Sequence, residues 1–421
     1  MTFSQPTPPT GSGREMRYRF REYFITIVIL LTALVFGWGD PNQLKLTTLL
    51  VAGCACLGIL MFTETGSFLS ANRSFLGVLL FLVAAQILRP TGMSLVSLAA
   101  FFCIACFLGL LCICDRVPDI YIKGAICTAA IVQALYGIMQ VWYDPIFSSA
   151  WANPSTGYTI PESWRIMGTF GQRQFWLMFL TASVPLFFYT GLNKWFRRAG
   201  LGVIGIAYCL YYYVLREIGF VEIAAGMVLL VYLSRRIAWI WLVPLLITLT
   251  VFCYQYRGQL YNNSFLWGKI IVPVELRVKI AKLTYELTTR TWSSALVGYG
   301  LGTYKHIMPA YEKQPEKQIY PQHVLASAHN EYLQAWFELG ILGLVGILAL
   351  FVFILIQCLA TIDSVPYWYS LLFVGLFSWV HFPLHLPFMA VFFLKGNDRV
   401  KGQAGRGFYS GCPETLNKVR R

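Results

Sequence analysis

The chain has 421 residues, of which 57% are hydrophobic and 12% are charged, and its formal net charge is +14. Soluble globular domains carry about 25% charged residues, so this composition excludes an ordinary soluble domain and indicates a membrane protein. The positive charge does not require a nucleic-acid partner, because Lys and Arg collect in cytoplasmic loops and near anionic lipid heads. We therefore expect membrane lipids, and no nucleic acid, around the basic segments.

Apolar stretches close to the length of about 20 residues that a membrane-crossing helix needs recur along the chain. They predict an all-α polytopic membrane protein with about twelve transmembrane helices, at residues 23–39, 44–62, 74–89, 93–114, 120–142, 175–192, 201–215, 218–233, 238–254, 331–358, 367–382 and 384–395. Pro383 and Pro387 lie at the junction of the last two stretches, which form either one span or two. The first stretch lacks a small-residue cleavage site, so we do not interpret it as a signal peptide.

The basic residues indicate the orientation of these spans, since short loops rich in Lys and Arg stay in the cytoplasm. Four basic clusters occur, at residues 14–21, 194–198, 235–236 and 395–406. With twelve spans, all four fall on one side of the membrane, which places both termini in the cytoplasm. The predicted order is a cytoplasmic basic arm at 1–22, transmembrane helices 1–5 at 23–142, a smaller outer loop at 143–174, transmembrane helices 6–9 at 175–254, a large outer loop at 255–328, transmembrane helices 10–12 at 329–395 and a cytoplasmic basic tail at 396–421.

The eleven cysteines favour packing roles over disulfide bonds. Ten of them lie inside the predicted apolar spans and the other, Cys412, lies in the basic tail, so neither outer loop contains one. A free cysteine in such surroundings behaves as a small hydrophobic residue.

In the large outer loop, the stretch ELRVKIAKLTYELTTRTWSSAL has the spacing of an amphipathic helix. Leu276, Ile280, Leu283 and Leu287 fall on one face of this helix. A helix of this kind can lie along the membrane surface.

The candidate proton-transfer residue is His329, which stands in the stretch SAHNEYLQAW directly before a predicted span. Ser327 or Asn330 can cap the helix that begins there, and the positive end of its dipole then faces outward, where it favours an anion. An imidazole at that position can accept a proton from a hydroxyl group near neutral pH. The alternative is an interfacial histidine that only caps the helix.

Three arginines near the outer surface are candidate anion ligands. Arg165 precedes the sixth predicted span, Arg216 lies in the turn between the seventh and eighth, and Arg277 begins the amphipathic stretch. Guanidinium groups are planar and always charged, which suits them to phosphate oxygens. For Arg216 the alternative is an ion pair with Glu217 or Glu222.

Two further patterns are not interpreted as binding sites. The stretch GYGLG at 298–302 has neither a preceding strand nor an acidic residue at dinucleotide spacing, so we read it as a turn that allows close backbone approach. His381 and His385 are four residues apart, but Pro383 lies between them and no carboxylate is near. We therefore expect neither a metal ion nor a cofactor.

The pattern His329-Asn330, nine residues, then Gly340 and Gly343 resembles the signature of the O-antigen ligase and polymerase superfamily. The resemblance extends to RIMGTFGQRQFWLMFLTASVPL at 165–186, GYGLGTY at 298–304 and HFPLHLPFMAVFF at 381–393. Together these stretches cover about residues 120 to 395. The chain departs from the family at Gln172, Arg173 and Gln174, where Asn-type residues are usual, and lacks Ser-Arg-Gly around Arg216.

The resemblance implies a GT-C-like enzyme of the bacterial inner membrane whose outer loops are periplasmic. Such enzymes move a glycan from an undecaprenyl pyrophosphate carrier to an acceptor hydroxyl on the periplasmic face, without a metal. By this resemblance His329 is the general base, and Arg165, Arg216 and Arg277, with Asn330 beside the histidine, bind the donor pyrophosphate.

The acceptor remains open at this point. A lipid A core would make the chain an O-antigen ligase in lipopolysaccharide biosynthesis, a growing glycan would make it a polymerase, and a pilin-like Ser or Thr would make it a protein O-oligosaccharyltransferase. From another class, twelve spans also describe a transporter. The two halves of the chain are unlike each other, however, and the polar residues of interest gather at the outer loops, whereas transporters tend to have repeated halves and midplane sites.

Overall fold

The structure, a computed structural model, describes residues 12–34, 48–55, 95–114, 117, 119–142, 166, 168–170, 173–189, 191–214, 272–312, 327–360, 366–378 and 392. Within these ranges the regular elements are all helical and no strand occurs. The α-helices, numbered here in chain order, are α1 (Ser12–Leu34), α2 (Leu95–Cys114), α3 (Asp119–Gln140), α4 (Arg173–Ser183), α5 (Lys194–Val214), α6 (Val272–Thr288), α7 (Trp292–Val297), α8 (Tyr304–Glu312), α9 (Glu331–Ala360) and α10 (Pro366–Phe377). Residues 48–55 are also helical.

Two of the described helices are long and apolar enough to cross a membrane. They are the stretches Ile120–Gln140 of α3 and Glu331–Ala349 of α9. Shorter apolar helical stretches cover Glu22–Leu34 and Leu95–Ile104. The described part of the chain therefore has the all-helical character and the apolar helix lengths of a helical membrane protein.

Several elements differ in extent from the sequence prediction; α5, for example, begins at Lys194, whereas the predicted span begins at residue 201. Helix α1 begins at Ser12, so it continues the first predicted span into the stretch expected as a basic arm. The predicted span at 175–192 consists of α4 followed by a 3-10 helix, Val184–Phe188, with a proline near its start. Pro185 removes one backbone donor, which accounts for the change of helix type at this point.

Helix α3 forms the centre of the larger apolar cluster of the described residues. Helices α1 and α5 pack against it, and α4 and α10 complete the cluster. Trp176 on α4 is fully buried and stacks on Tyr211 of α5, with ring centroids 5.5 Å apart. The indole nitrogen of Trp176 donates to the carbonyl of Gln133 at 2.9 Å, which connects α4 to α3.

Two buried glutamines of α3 hold the stretch that contains the G-x-F-G motif. Gln133 accepts from the Thr169 amide at 3.0 Å and donates to the Ala33 carbonyl at 2.6 Å. The Gly168 amide donates to Gln140 Oε1 at 2.8 Å. Buried amide groups need such partners because their desolvation is otherwise uncompensated. These bonds fix residues 168–170 against α1 and α3.

The second apolar cluster lies in the stretch expected as the large outer loop, and we call it the outer cluster. Ile280, Leu283 and Leu287 of α6 are buried there, with Leu276 packed beside them. This set is the face predicted from the sequence. It packs on residues from α8, from the start of α9 and from the segment before α9, namely Tyr304, Met308, Phe337 and Ala328.

Helix α9 is interrupted at Gly340, where φ is 68° and ψ is −162°. Gly298, at the end of α7, has a similar conformation with φ 77° and ψ −176°. Both values lie in a region open essentially to glycine only. The two glycines face each other's chain: a Cβ on Gly340 would overlap the Leu296 carbonyl, and one on Gly298 would overlap the Glu338 backbone. The two segments therefore meet backbone to backbone.

Candidate functional site

The candidate site lies where residues 327–330 enter α9. Asn330 is the N-cap, since its Oδ1 accepts the Leu333 amide at 3.0 Å and its carbonyl accepts the Gln334 amide at 3.0 Å. The sequence had left Ser327 and Asn330 as alternatives for this role. The Glu331 amide donates to the Ser378 carbonyl at 2.9 Å, which ties the start of α9 to the end of α10.

His329 itself adopts a left-handed backbone conformation with φ 51°. It is the single non-glycine residue with positive φ in the described part of the chain. Residues of this kind cluster at functional sites, where the surrounding structure compensates for the strain. Bonds on both sides of His329, at Ala328 and at Asn330, hold this conformation.

The structure brings His329 close to Arg277 of α6. Burial, the larger cause, and the positive charge of Arg277 together lower the pKa of His329 from 6.5 to about 4. The sequence had predicted an imidazole able to accept a proton near neutral pH, and that prediction did not include a lowered pKa. At pH 7 the imidazole is therefore neutral, with one ring nitrogen able to accept a proton.

Replacing Arg277 with glutamine is expected to raise the pKa of His329. The substitution removes the nearby positive charge that disfavours the imidazolium form, whereas burial, the larger cause, remains. The new value should thus lie above 4 and still below 6.5. Titration of ¹³C-labelled histidine by NMR, with the resonance assigned from His329→Gln, measures it. Arg290→Gln is the control, because Arg290 is exposed just after the same helix. An unchanged pKa of His329 in Arg277→Gln would contradict the electrostatic interaction between His329 and Arg277.

The glycine-rich segment 298–304 is held on α9 by backbone amides. The Tyr299 and Gly300 amides each donate at 2.8 Å, to the carbonyls of Phe337 and Glu338 respectively. These carbonyls are available because the helix is interrupted at Gly340, since the last carbonyls of a helical segment lack intrahelical donors. The carboxylate of Glu338 accepts from the Gly302 amide at 2.7 Å and from the Tyr304 amide at 3.4 Å.

Three of the five predicted site residues lie together in the structure: His329, Arg277 and Asn330. Arg165 and Arg216 lie outside the described residues, as do His381 and His385. Among the described residues, no three His, Cys, Asp or Glu side chains group in a way that could hold a metal ion.

Sequence reasoning missed Glu338 and Gln334, the polar residues of α9 that bind the surrounding segments. Both are almost fully buried, with 2% and 4% of their surface exposed. A signal existed for Glu338, because a carboxylate next to a long apolar run is costly unless it has a partner. Its spacing of four residues from Gln334 also predicts that the two side chains meet on one helix face.

Comparison with known proteins does not assign the chain to a family. No family model matches the chain, and no curated protein matches it.

Proposed function

We propose that the chain is a glycosyltransferase of the bacterial inner membrane, with about twelve transmembrane helices in a GT-C-like arrangement and its active face in the periplasm. Its reaction transfers a glycan from an undecaprenyl pyrophosphate carrier to an acceptor hydroxyl, in the manner of an O-antigen ligase. The observation that carries this proposal is the proximity of His329 and Arg277 at the start of an apolar helix.

The position of this pair suits reactants that are held by a membrane. A lipid tail keeps the carrier pyrophosphate at headgroup depth, close to where α9 begins. At that depth a cation can stabilise the negative charge of the pyrophosphate leaving group. A neutral base beside it can accept the proton that the acceptor loses.

The proposed chemical step is a direct displacement. The acceptor oxygen forms a bond to the anomeric carbon, while the bond from that carbon to the pyrophosphate oxygen breaks and its electron pair leaves with undecaprenyl pyrophosphate. The acceptor proton passes to the imidazole of His329. Attack opposite the leaving group inverts the anomeric configuration. Arg277, together with Arg165 and Arg216, offsets the negative charge of the leaving group.

Donor binding strengthens the base in this scheme. An imidazole with a pKa of about 4 is a weak proton acceptor, and part of that weakness comes from the charge of Arg277. A pyrophosphate bound at Arg277 compensates that charge, so it raises the pKa of His329 when the donor is in place. The scheme therefore couples arrival of the donor to activation of the base, and it uses no metal or cofactor.

The acceptor stays within three chemical classes in this proposal: the lipid A core, a growing glycan and a protein hydroxyl. The lipid A core is our first choice, by the resemblance to O-antigen ligases, and a growing glycan is the second. All three classes use the same donor chemistry, so the test of the donor step does not depend on the choice.

The proposal is tested with purified protein in nanodiscs and a lipid-linked glycan, with each candidate acceptor added in turn. We expect the carrier-linked glycan to be consumed and free undecaprenyl pyrophosphate to accumulate, with a new glycosidic bond on one acceptor class. Mass spectrometry of the lipid and acceptor fractions measures both products. A transporter would move the donor and leave its glycosidic bond intact, and that outcome would overturn the proposal.

A further inference from the structure

We propose that Glu338 is the positioning residue of this site, which fixes His329 and Arg277 relative to each other. The inference rests on the proposed function, because it assigns a role in the same site. Glu338 lies on the first segment of α9, between the histidine segment 327–330 and the glycine-rich segment 298–304. It bonds directly to the glycine-rich segment, and it reaches the histidine segment through Gln334.

One connection runs from Glu338 to the histidine segment. Gln334 Nε2 donates to Glu338 Oε1 at 3.2 Å, and Gln334 Oε1 accepts the Ala328 amide at 3.2 Å. Ala328 directly precedes His329, so this bond restrains the residue that must hold φ at 51°. The carboxylate also fixes the orientation of the Gln334 amide, because it can accept only from the NH₂ end.

The other connection runs from Glu338 to α6, which carries Arg277. Glu338 accepts the Gly302 and Tyr304 amides, and the Tyr304 hydroxyl lies 2.9 Å from Thr284 Oγ1 on α6. Burial raises the pKa of the Tyr304 hydroxyl, so it stays protonated and able to donate. The Tyr299 hydroxyl adds a bond of 2.9 Å to the Leu287 carbonyl. The position of α6 is thereby set from the same carboxylate.

The desolvation of the Glu338 carboxylate is unfavourable, which indicates that the charge has a structural role. A carboxylate that is 2% exposed has lost its water, and hydrogen bonds from backbone amides and Gln334 replace that water. An apolar side chain of similar size would fill the same space without this desolvation cost, but it could not orient two loops. Directional bonds to the glycine-rich segment and to Gln334, which in turn holds Ala328, are what the charge adds.

The variant Glu338→Gln tests this role in the full chain. It keeps the size of the side chain, but its NH₂ group cannot accept, so at least one of the amides of Gly302, Tyr304 or Gln334 loses its acceptor. We expect the two segments to shift, which separates His329 from Arg277 and admits water. Both changes raise the pKa of His329 from about 4 toward 6.5. Transfer should fall by about 10²-fold in kcat, as for a base displaced by about 1 Å.

The readout is the NMR titration of His329 in detergent, together with kcat and KM for transfer. The matched control is Glu312→Gln, which alters another buried carboxylate beside the outer cluster, 4% exposed. Glu338→Asp retains the charge and should restore most of the low pKa. A raised pKa in Glu338→Gln, with an unchanged pKa in Glu312→Gln, is the expected result.

Two outcomes would overturn the inference. The first is a pKa of His329 that stays at about 4 in Glu338→Gln. The second is an equal rise of this pKa in Glu312→Gln, which would mean that the loss of any buried carboxylate in this region disturbs the packing around His329. Should Glu338→Gln fail to fold, Gln334→Met breaks the connection to the histidine alone, and the same titration decides. If wild-type protein leaves the donor intact while the titrations behave as expected, the proposed function fails and the structural role of Glu338 stands.

Discussion

Substitution of His329 by glutamine is expected to reduce glycan transfer by about 10²- to 10⁴-fold, the usual contribution of a general base. Glutamine can still form hydrogen bonds, but its side chain does not accept a proton at neutral pH. Membrane insertion and donor binding should change little, because Asn330 supplies the cap of α9 and the proposed scheme assigns the donor pyrophosphate to arginine. The loss should therefore fall on kcat, measured from product formation at saturating donor.

His306→Gln is the matched control for this variant. His306 is an exposed histidine on α8, the helix that contributes Tyr304 and Met308 to the outer cluster, and no step of the proposed reaction uses it. It should transfer at the wild-type rate. Near-normal transfer by His329→Gln, with normal amounts of protein in the membrane, would remove His329 from the mechanism.

Gly340→Ala is expected to destabilise the protein by about 2–5 kcal/mol, from backbone strain at positive φ and overlap with a neighbouring chain. The added Cβ would overlap the Leu296 carbonyl, and the backbone conformation is one that alanine does not adopt readily. Relief requires residues 296–297 to move away from Gly340, which disturbs the adjacent amide bonds from Tyr299 and Gly300 to α9. Thermal unfolding in detergent, followed by light scattering, measures the loss.

Gly346→Ala provides the comparison on the same helix. A Cβ at Gly346 meets no atom of the described residues within 4 Å, and alanine is the better helix former, so this variant should be as stable as the wild type or slightly more so. Equal stability of the two variants would show that the backbone of Gly340 does not lie against residues 296–297.

Features that depend on local sequence were predicted well. The apolar runs indicated α3 and α9, and the spacing of Leu276, Ile280, Leu283 and Leu287 identified the buried face of α6. The cap at Asn330 was one of two alternatives read from residue type. Each of these depends on residues within a few turns of one another, where periodicity and capping chemistry are visible in the sequence.

Features that depend on contacts between distant segments were not predicted. The run 331–358 is apolar throughout its second half, and nothing in its hydropathy marks the interruption at Gly340, which depends on a contact with residues 296–298. The low pKa of His329 likewise depends on burial and on Arg277, which a motif does not reveal. The early start of α1 was missed because hydropathy detects the apolar part of a helix and ignores its charged extension.

The backbone contact between residues 298–304 and α9 also sets an order for biosynthesis. The amides of Tyr299, Gly300, Gly302 and Tyr304 bond to Phe337 and Glu338, which leave the ribosome later. Until then the amides of the glycine-rich segment must bond to water. The insertion of α9 thus completes a fold begun by residues made before it, and truncation of the nascent chain ahead of residue 337 should leave that earlier segment open to proteases.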